Sequence, residues 1–333
     1  MTGRQTFEVA EFALQAGETL PSAKLVYRIL GTLSPARDNV VLIPSWYSGT
    51  DREAEICMVG PGRAIDPARH FVVLTNLLSG GVSSSPSNTS APFEAGRFPR
   101  VTLHDNVRLQ RMLLDGLGIE HLKLVAGWSM GGCQAYQWGA QYPDMMDAIA
   151  PLCCSARTAH FNKIFLLALR RALELDPAFD DGFYTRPPVR GLRAFATIYA
   201  GWGFSEPFYR TEAFRQFGAT TAAEFSARFW EAGFLHLDAN DLLSLLRCWE
   251  DGDISAGLQY GGDLDRALGA ITARAIVMPC EHDSYFPPVD SHSEVERMPN
   301  AECRPVQSIW GHMALWNPED RPFFDAALGE LLE

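Results

Sequence analysis

The amino-acid sequence predicts an α/β fold, a mostly parallel sheet flanked by helices with an inserted helical cap. Short apolar runs that end in turn residues alternate with segments whose apolar residues recur at helical spacing, a rhythm typical of parallel sheets covered by helices. Residues 158–261 break this rhythm, because they are aromatic, helical in pattern and almost free of strand-like runs. We therefore predict a core formed by 1–157 and 262–333 and a cap formed by 158–261.

The elements of this core can be assigned in chain order. One strand is predicted from Leu124 to the turn at Ser129. Further apolar runs predict strands over 39–44, 70–76, 147–154, 273–280 and 302–307. A helix is predicted over 102–117, where Val107, Leu109 and Leu113 recur on one face and Gly118 stops the pattern. A second helix should follow Ser129, and a last one over 323–332 closes the core.

Composition excludes several classes of function. The 333 residues carry a formal net charge of -12 and no cluster of Lys and Arg, so we expect no nucleic-acid partner. No apolar run approaches the length of a membrane span, and the first twenty residues lack the apolar region of a signal peptide. Seven scattered cysteines without a C-x-x-C pair predict reduced thiols, no metal site and a cytoplasmic protein.

The segment 127–131 carries the most informative motif, Gly-Trp-Ser-Met-Gly. It lies between a predicted strand and a predicted helix, as does the serine of a G-x-S-x-G nucleophile elbow. The glycines let strand and helix pass closely on either side of Ser129. Because the helix directs its N-terminus at that serine, the N–H of Met130 is a candidate donor to an oxyanion.

A serine at such a turn needs an imidazole to take its proton and an acid to orient the imidazole. His312 follows the last predicted strand, and Asp283 follows the strand before it, so the chain order is Ser129, Asp283, His312. We predict these three as the catalytic triad. Glu281 and Asp290 remain alternatives for the acid.

A second oxyanion donor should come from the loop after an early strand, here residues 45–49. We predict the N–H of Tyr47 for this role, with the N–H of Trp46 as the second choice. The same residues could also form a polar loop whose aromatic side chains only contact the cap.

With these motifs identified, the sequence resembles the homoserine O-acetyltransferase family of α/β-hydrolases over nearly its whole length. The elbow followed by Tyr142-Pro143-Asp144, the cap segment 237–243, and the segments 283–288 and 311–312 resemble that family's motifs. The resemblance implies the hydrolase fold, the triad and a homodimer formed through the cap. It implies no metal or redox cofactor.

The departures from the family bear on the substrate. Met313 stands where the acetyltransferases typically carry an aspartate directed at the amino group of homoserine. The cap stretch in which an arginine for the substrate carboxylate is expected is apolar, and only Arg193 lies near that position. The predicted walls of the substrate pocket are Trp46, Trp128, Trp202, Met313 and Trp316.

An apolar pocket would leave the charges of homoserine without partners, whereas a small neutral ester meets no such penalty. We therefore predict a serine esterase acting on small acyl, chiefly acetyl, esters of short alcohols, like the ethyl acetate hydrolases among the relatives of this family. The alternative is an acyl-CoA-dependent O-acyltransferase with another acceptor. A third hypothesis is a catalytically silent binding protein with the same fold.

Overall fold

The computed structural model describes residues 3–333 and has an eight-stranded sheet at its centre. The strands are β1 (Gln5–Ala13), β2 (Thr19–Leu30), β3 (Val40–Pro44), β4 (Phe71–Thr75), β5 (Leu122–Trp128), β6 (Met146–Leu152), β7 (Arg274–Val277) and β8 (Ala301–Cys303). Their order across the sheet is β1-β2-β4-β3-β5-β6-β7-β8. All pairs from β4 to β8 are parallel, so the predicted α/β fold with a mostly parallel sheet is confirmed.

Helices cover the sheet and fill the segment between β6 and β7. They are α1 (Asp51–Met58), α2 (Leu103–Gly116), α3 (Met130–Gln141), α4 (His160–Glu174), α5 (Val189–Gly203), α6 (Glu206–Arg210), α7 (Ala222–Phe225), α8 (Ala232–Phe234), α9 (Ala239–Glu250), α10 (Leu264–Gly269), α11 (Pro288–Val295) and α12 (Arg321–Leu332). A π-helical turn at Ser226–Glu231 joins α7 to α8, and a 3-10 helix spans Gly311–Trp316. The segment from α4 to α9 forms the cap.

The chain leaves the sheet for the cap and returns to it at one place. The N–H of Thr158 donates to the carbonyl of Gly252 at 2.8 Å. Arg157 Nε donates to Asp253 at 2.7 Å, and its Nη2 donates to the hydroxyl of Ser255 at 2.6 Å. These bonds join the two ends of the cap directly beside β6.

The hairpin of β1 and β2 is absent from the sequence prediction. The two strands pair antiparallel, and β2 pairs antiparallel with β4 at the edge of the sheet. Most residues of β1 are exposed, and Glu8 and Glu11 interrupt its apolar residues. A strand exposed on one face lacks the continuous apolar run by which the buried strands were recognised.

Two further properties concern the helices and the cysteines of the described chain. No helix within residues 3–333 is long and apolar enough to cross a membrane. All seven cysteines are free thiols, and six of them are buried.

Candidate active site

Ser129 occupies a strained turn between β5 and α3. Its φ of 56° and ψ of -129° are unusual for a residue with a side chain. A Cβ on Gly127 would lie 2.2 Å from the carbonyl carbon of Gly131, and one on Gly131 would lie 2.6 Å from the carbonyl oxygen of Pro44. Only glycine at these two positions allows strand and helix to approach in this way.

The structure brings Ser129, His312 and Asp283 together in one hydrogen-bonded chain. His312 Nε2 lies 2.9 Å from Ser129 Oγ, and His312 Nδ1 lies 2.8 Å from Asp283 Oδ2. All three residues are buried. Because an ionised carboxylate can only accept, Nδ1 carries the proton of a neutral imidazole, and Nε2 is free to accept from the serine hydroxyl.

Neighbouring groups hold both the acid and the imidazole in place. The other carboxylate oxygen of Asp283 accepts from the N–H groups of Tyr285 at 2.8 Å and Phe286 at 3.1 Å. The ring of Trp128 stacks on that of His312 with centroids 4.6 Å apart, and the indole N–H donates to the His312 carbonyl at 3.1 Å. The imidazole therefore has little freedom to rotate away from Ser129.

The two alternative acids lie elsewhere. Glu281 is exposed, and neither it nor Asp290 makes a hydrogen bond to His312 within the described residues. Burial raises the pKa of Asp290 above its usual value.

A cavity of ≈ 110 Å³ opens onto Ser129 and His312. Four predicted wall residues line it, namely Trp46, Trp128, Met313 and Trp316. The remaining lining residues are Tyr47, Ser48, Gly49, Glu53, Tyr199 and Trp230. Aromatic rings thus dominate its surface.

The structure places Trp202, the fifth predicted wall residue, outside this lining. Its ring packs against Phe161 and Phe165 of α4, with centroid distances of 5.0 Å and 4.8 Å. Tyr199, one helical turn earlier on α5, reaches the cavity instead. The sequence did not identify Tyr199 and Trp230 as cavity residues, because which side of a cap helix faces the cavity depends on how the cap docks on the core. The helical spacing of Phe195 and Tyr199 was the one signal that these two side chains share a buried face of α5.

The candidate oxyanion donors come from two elements. Met130 is the first residue of α3, where backbone N–H groups have no partner inside the helix. Among residues 3–333, neither this N–H nor those of Trp46 and Tyr47 donates to a protein acceptor. The Tyr47 side chain is anchored separately, because its hydroxyl donates to the carbonyl of Leu242 at 3.1 Å.

Charge is nearly absent from the cavity. Arg193 is largely exposed on α5 and lies 3.3 Å from Glu231, outside the cavity lining. Glu53 is the one ionisable side chain that lines the cavity besides His312 and the tyrosines in the described part of the chain. No group of three or more metal-ligating side chains occurs within residues 3–333.

Comparison with known proteins defines the family. Residues 38–318 match the model of the alpha/beta hydrolase fold, and the chain belongs to this family. It is 35% identical to the ethyl acetate hydrolase of Pseudomonas veronii, with 98% of this chain and 95% of that protein covered. It is 31% identical to the homoserine O-acetyltransferase of Trichormus variabilis, over 91% of this chain and 87% of that protein.

A solved structure agrees closely with the fold. The acetyl esterase MekB superposes with a TM-score of 0.97 at 35% identity, covering 99% of this chain and 97% of that one. The chain therefore lies among α/β-hydrolases that include both esterases and homoserine O-acetyltransferases.

Proposed function

We propose that this protein is a serine esterase that hydrolyses small acyl esters, chiefly acetyl esters of short alcohols. The observation that carries the proposal is the hydrogen-bonded chain from Asp283 through His312 to Ser129, whose serine lines a small aromatic cavity. The names of two relatives, an ethyl acetate hydrolase and an acetyl esterase, support the same substrate class.

The reaction would proceed through an acyl-enzyme. Ser129 Oγ attacks the ester carbonyl while His312 Nε2 takes its proton, and Asp283 stabilises the resulting imidazolium. The N–H groups of Met130 and Tyr47 hold the negative oxygen of the tetrahedral intermediate. The imidazolium then protonates the leaving alkoxide, and a water activated by the same imidazole releases the acid.

The alternative, transfer of an acyl group from acyl-CoA to an acceptor, differs only in what attacks the acyl-enzyme. Two observations favour water. Met313 lines the cavity at the position where the acetyltransferases typically carry an aspartate, and the guanidinium of Arg193 is paired at the surface. A zwitterionic acceptor such as homoserine would lose its hydration there without gaining partners for both charges.

Substitution of the nucleophile tests the mechanism. Ser129→Ala should lower kcat for p-nitrophenyl acetate by about four orders of magnitude or more while the melting temperature stays within a few degrees. Asp283→Asn should also lose most activity, because the imidazole would then favour the wrong tautomer. Asp290→Asn, the same change at the alternative acid, should retain it. Full activity in Ser129→Ala or in Asp283→Asn would refute the triad.

The substrate class needs a different measurement. With ethyl acetate alone the protein should release acetate rapidly, and addition of acetyl-CoA and homoserine should give no O-acetylhomoserine. Efficient formation of that product would instead support the transferase alternative.

Three further assignments belong to this proposal. The chain division into a core of 1–157 and 262–333 and a cap of 158–261 is supported by the bonds that join Arg157 and Thr158 to the returning chain. Reduced thiols favour the cytoplasm. A homodimer through the cap is supported by exposed apolar side chains on α4.

A further inference from the structure

Glu53 gives the otherwise apolar cavity a negative charge. It lies in the first turn of α1, and its carboxylate oxygen Oε2 accepts from the backbone N–H of Thr50 at 2.9 Å and from the Thr50 hydroxyl at 2.6 Å. This capping box holds the carboxylate beside Thr50, which follows Ser48 and Gly49 of the cavity lining in the chain. Within residues 3–333 no Lys, Arg or His forms an ion pair with Glu53.

Six aromatic side chains surround the same space. They are Trp46, Tyr47, Trp128, Tyr199, Trp230 and Trp316. The ring of Trp46 is nearly perpendicular to those of Trp128 and Trp316, with interplanar angles of 86° and 88°. The wall is therefore largely aromatic, and the electron-rich face of an aromatic ring attracts cations, quaternary ammonium groups in particular.

Aromatic rings and a carboxylate favour the same kind of ligand. A cation would gain from both, a neutral group of the same shape would gain only apolar contact, and an anion would be repelled by the carboxylate. The capping role of Glu53 accounts for its contact with Thr50, but Gln at this helix position would cap equally well. The charge itself is therefore not required by the helix.

We propose that Glu53 is a specificity-determining residue that selects substrates by charge. In this assignment the cavity favours esters whose alcohol carries an ammonium group over neutral esters of equal size, and it disfavours esters that carry a carboxylate. The inference rests on the proposed esterase function and deepens it. It also implies weak retention of the acetate product, since acetate would share the cavity with the Glu53 carboxylate.

A pair of isosteric esters isolates the charge. Acetylcholine and 3,3-dimethylbutyl acetate have the same acetyl group and nearly the same shape, and only the former is cationic. We expect Glu53→Gln to lower the ratio of their kcat/KM values by about tenfold, equivalent to ~1.4 kcal/mol, chiefly through the cationic ester. Acetate should inhibit Glu53→Gln more strongly than the wild type.

Glu55→Gln is the matched control. It removes the same charge from the same helix, but the carboxylate of Glu55 faces Arg28 rather than the cavity. We expect this variant to keep the wild-type ratio. An equal fall in both variants would indicate a general effect of net charge and would overturn the assignment.

A measurement on the wild type tests the inference if Glu53→Gln does not fold. Tetramethylammonium should inhibit hydrolysis of 3,3-dimethylbutyl acetate at concentrations about tenfold lower than tert-butanol, its neutral counterpart in size. Equal inhibition, or an unchanged ester ratio in Glu53→Gln, would refute charge selection. Failure of the esterase proposal itself would be distinct, because the wild type would then hydrolyse neither ester.

Discussion

Glu294 on α11 is a carboxyl that the proposed reaction does not use. It is buried, and its Oε1 accepts from the N–H of Ala156 at 2.7 Å. Burial raises its pKa to about 8 from the ordinary value of 4.5. Between these two values the folded protein keeps a proton that the unfolded chain releases, so the free energy of unfolding should fall as pH rises from 4.5 to about 8.

Glu294→Gln should remove this pH dependence, because the amide resembles the protonated acid at every pH. Relative to the variant, the wild type should lose stability between pH 5 and pH 8, by about 1 to 4 kcal/mol in total. Urea unfolding at several pH values measures the difference. Glu296→Gln, an exposed change at the end of the same helix, should keep the wild-type slope. The prediction would be contradicted if the difference in the free energy of unfolding between the wild type and Glu294→Gln were the same at every pH in this range.

Individual residues of the site differ in how well the sequence predicts their position. Ser129 could be located because the glycines of its turn are a local pattern, and Asp283 and His312 because each follows a recognisable strand. Glu53, Tyr199 and Trp230 escaped prediction, because a side chain on a helix reaches the cavity only through the way that helix docks. Contacts between elements distant in sequence leave little local pattern.

At the level of elements, the end of α5 packs unusually closely against the cavity wall. A Cβ on Gly203 would lie 2.5 Å from the ring of Trp230 and 3.2 Å from the hydroxyl of Tyr285. Trp230 lines the cavity, and its ring can occupy this position only because Gly203 of α5 has no side chain. Gly201, two residues earlier on the same helix, has open space at its Cβ position.

Gly203→Ala should therefore displace Trp230 and lower kcat/KM for small acetyl esters by about tenfold, since substrate misplacement of the order of an ångström costs much of the rate. Gly201→Ala should leave activity unchanged and raise stability by about 0.5 to 1 kcal/mol, because alanine favours a helix over glycine. Ester kinetics and thermal unfolding on both variants measure the two effects. Equal kinetics in the two variants would show that α5 does not position this wall.

Whole elements differ in how much sequence reveals about them. The buried parallel strands were predictable, because strands covered on both faces are continuous apolar runs. The hairpin of β1 and β2 is not predicted, since β1 has no continuous apolar run and Glu8 and Glu11 interrupt its apolar residues. The observed β7 (Arg274–Val277) ends before the predicted strand over 273–280, although isolated bridges at Met278 and Cys280 continue its alignment.

At the scale of the whole molecule, the cap presents an apolar stripe to solvent. Phe161, Ile164 and Ala168 lie on the exposed face of α4 at helical spacing, and Ile164 is 64% exposed. Leu175, directly after the last residue of this helix, is exposed as well. Helix α4 packs on α5, and Trp202 of α5 lies beside Phe161. An exposed apolar stripe that extends onto a second helix is typical of a protein interface rather than of scattered surface residues.

We expect this stripe to pair two copies of the chain through a two-fold contact, as proposed for the cap. The wild type should then have a solution mass near twice the 36.8 kDa of one chain. Ile164→Glu should give the monomer mass, because the contact would have to bury two copies of the new carboxylate. Leu258→Glu, the same kind of change at a fully exposed leucine outside the stripe, should leave the dimer intact. Light scattering after size exclusion measures all three masses, and a dimer that persists in Ile164→Glu would exclude the stripe as its interface.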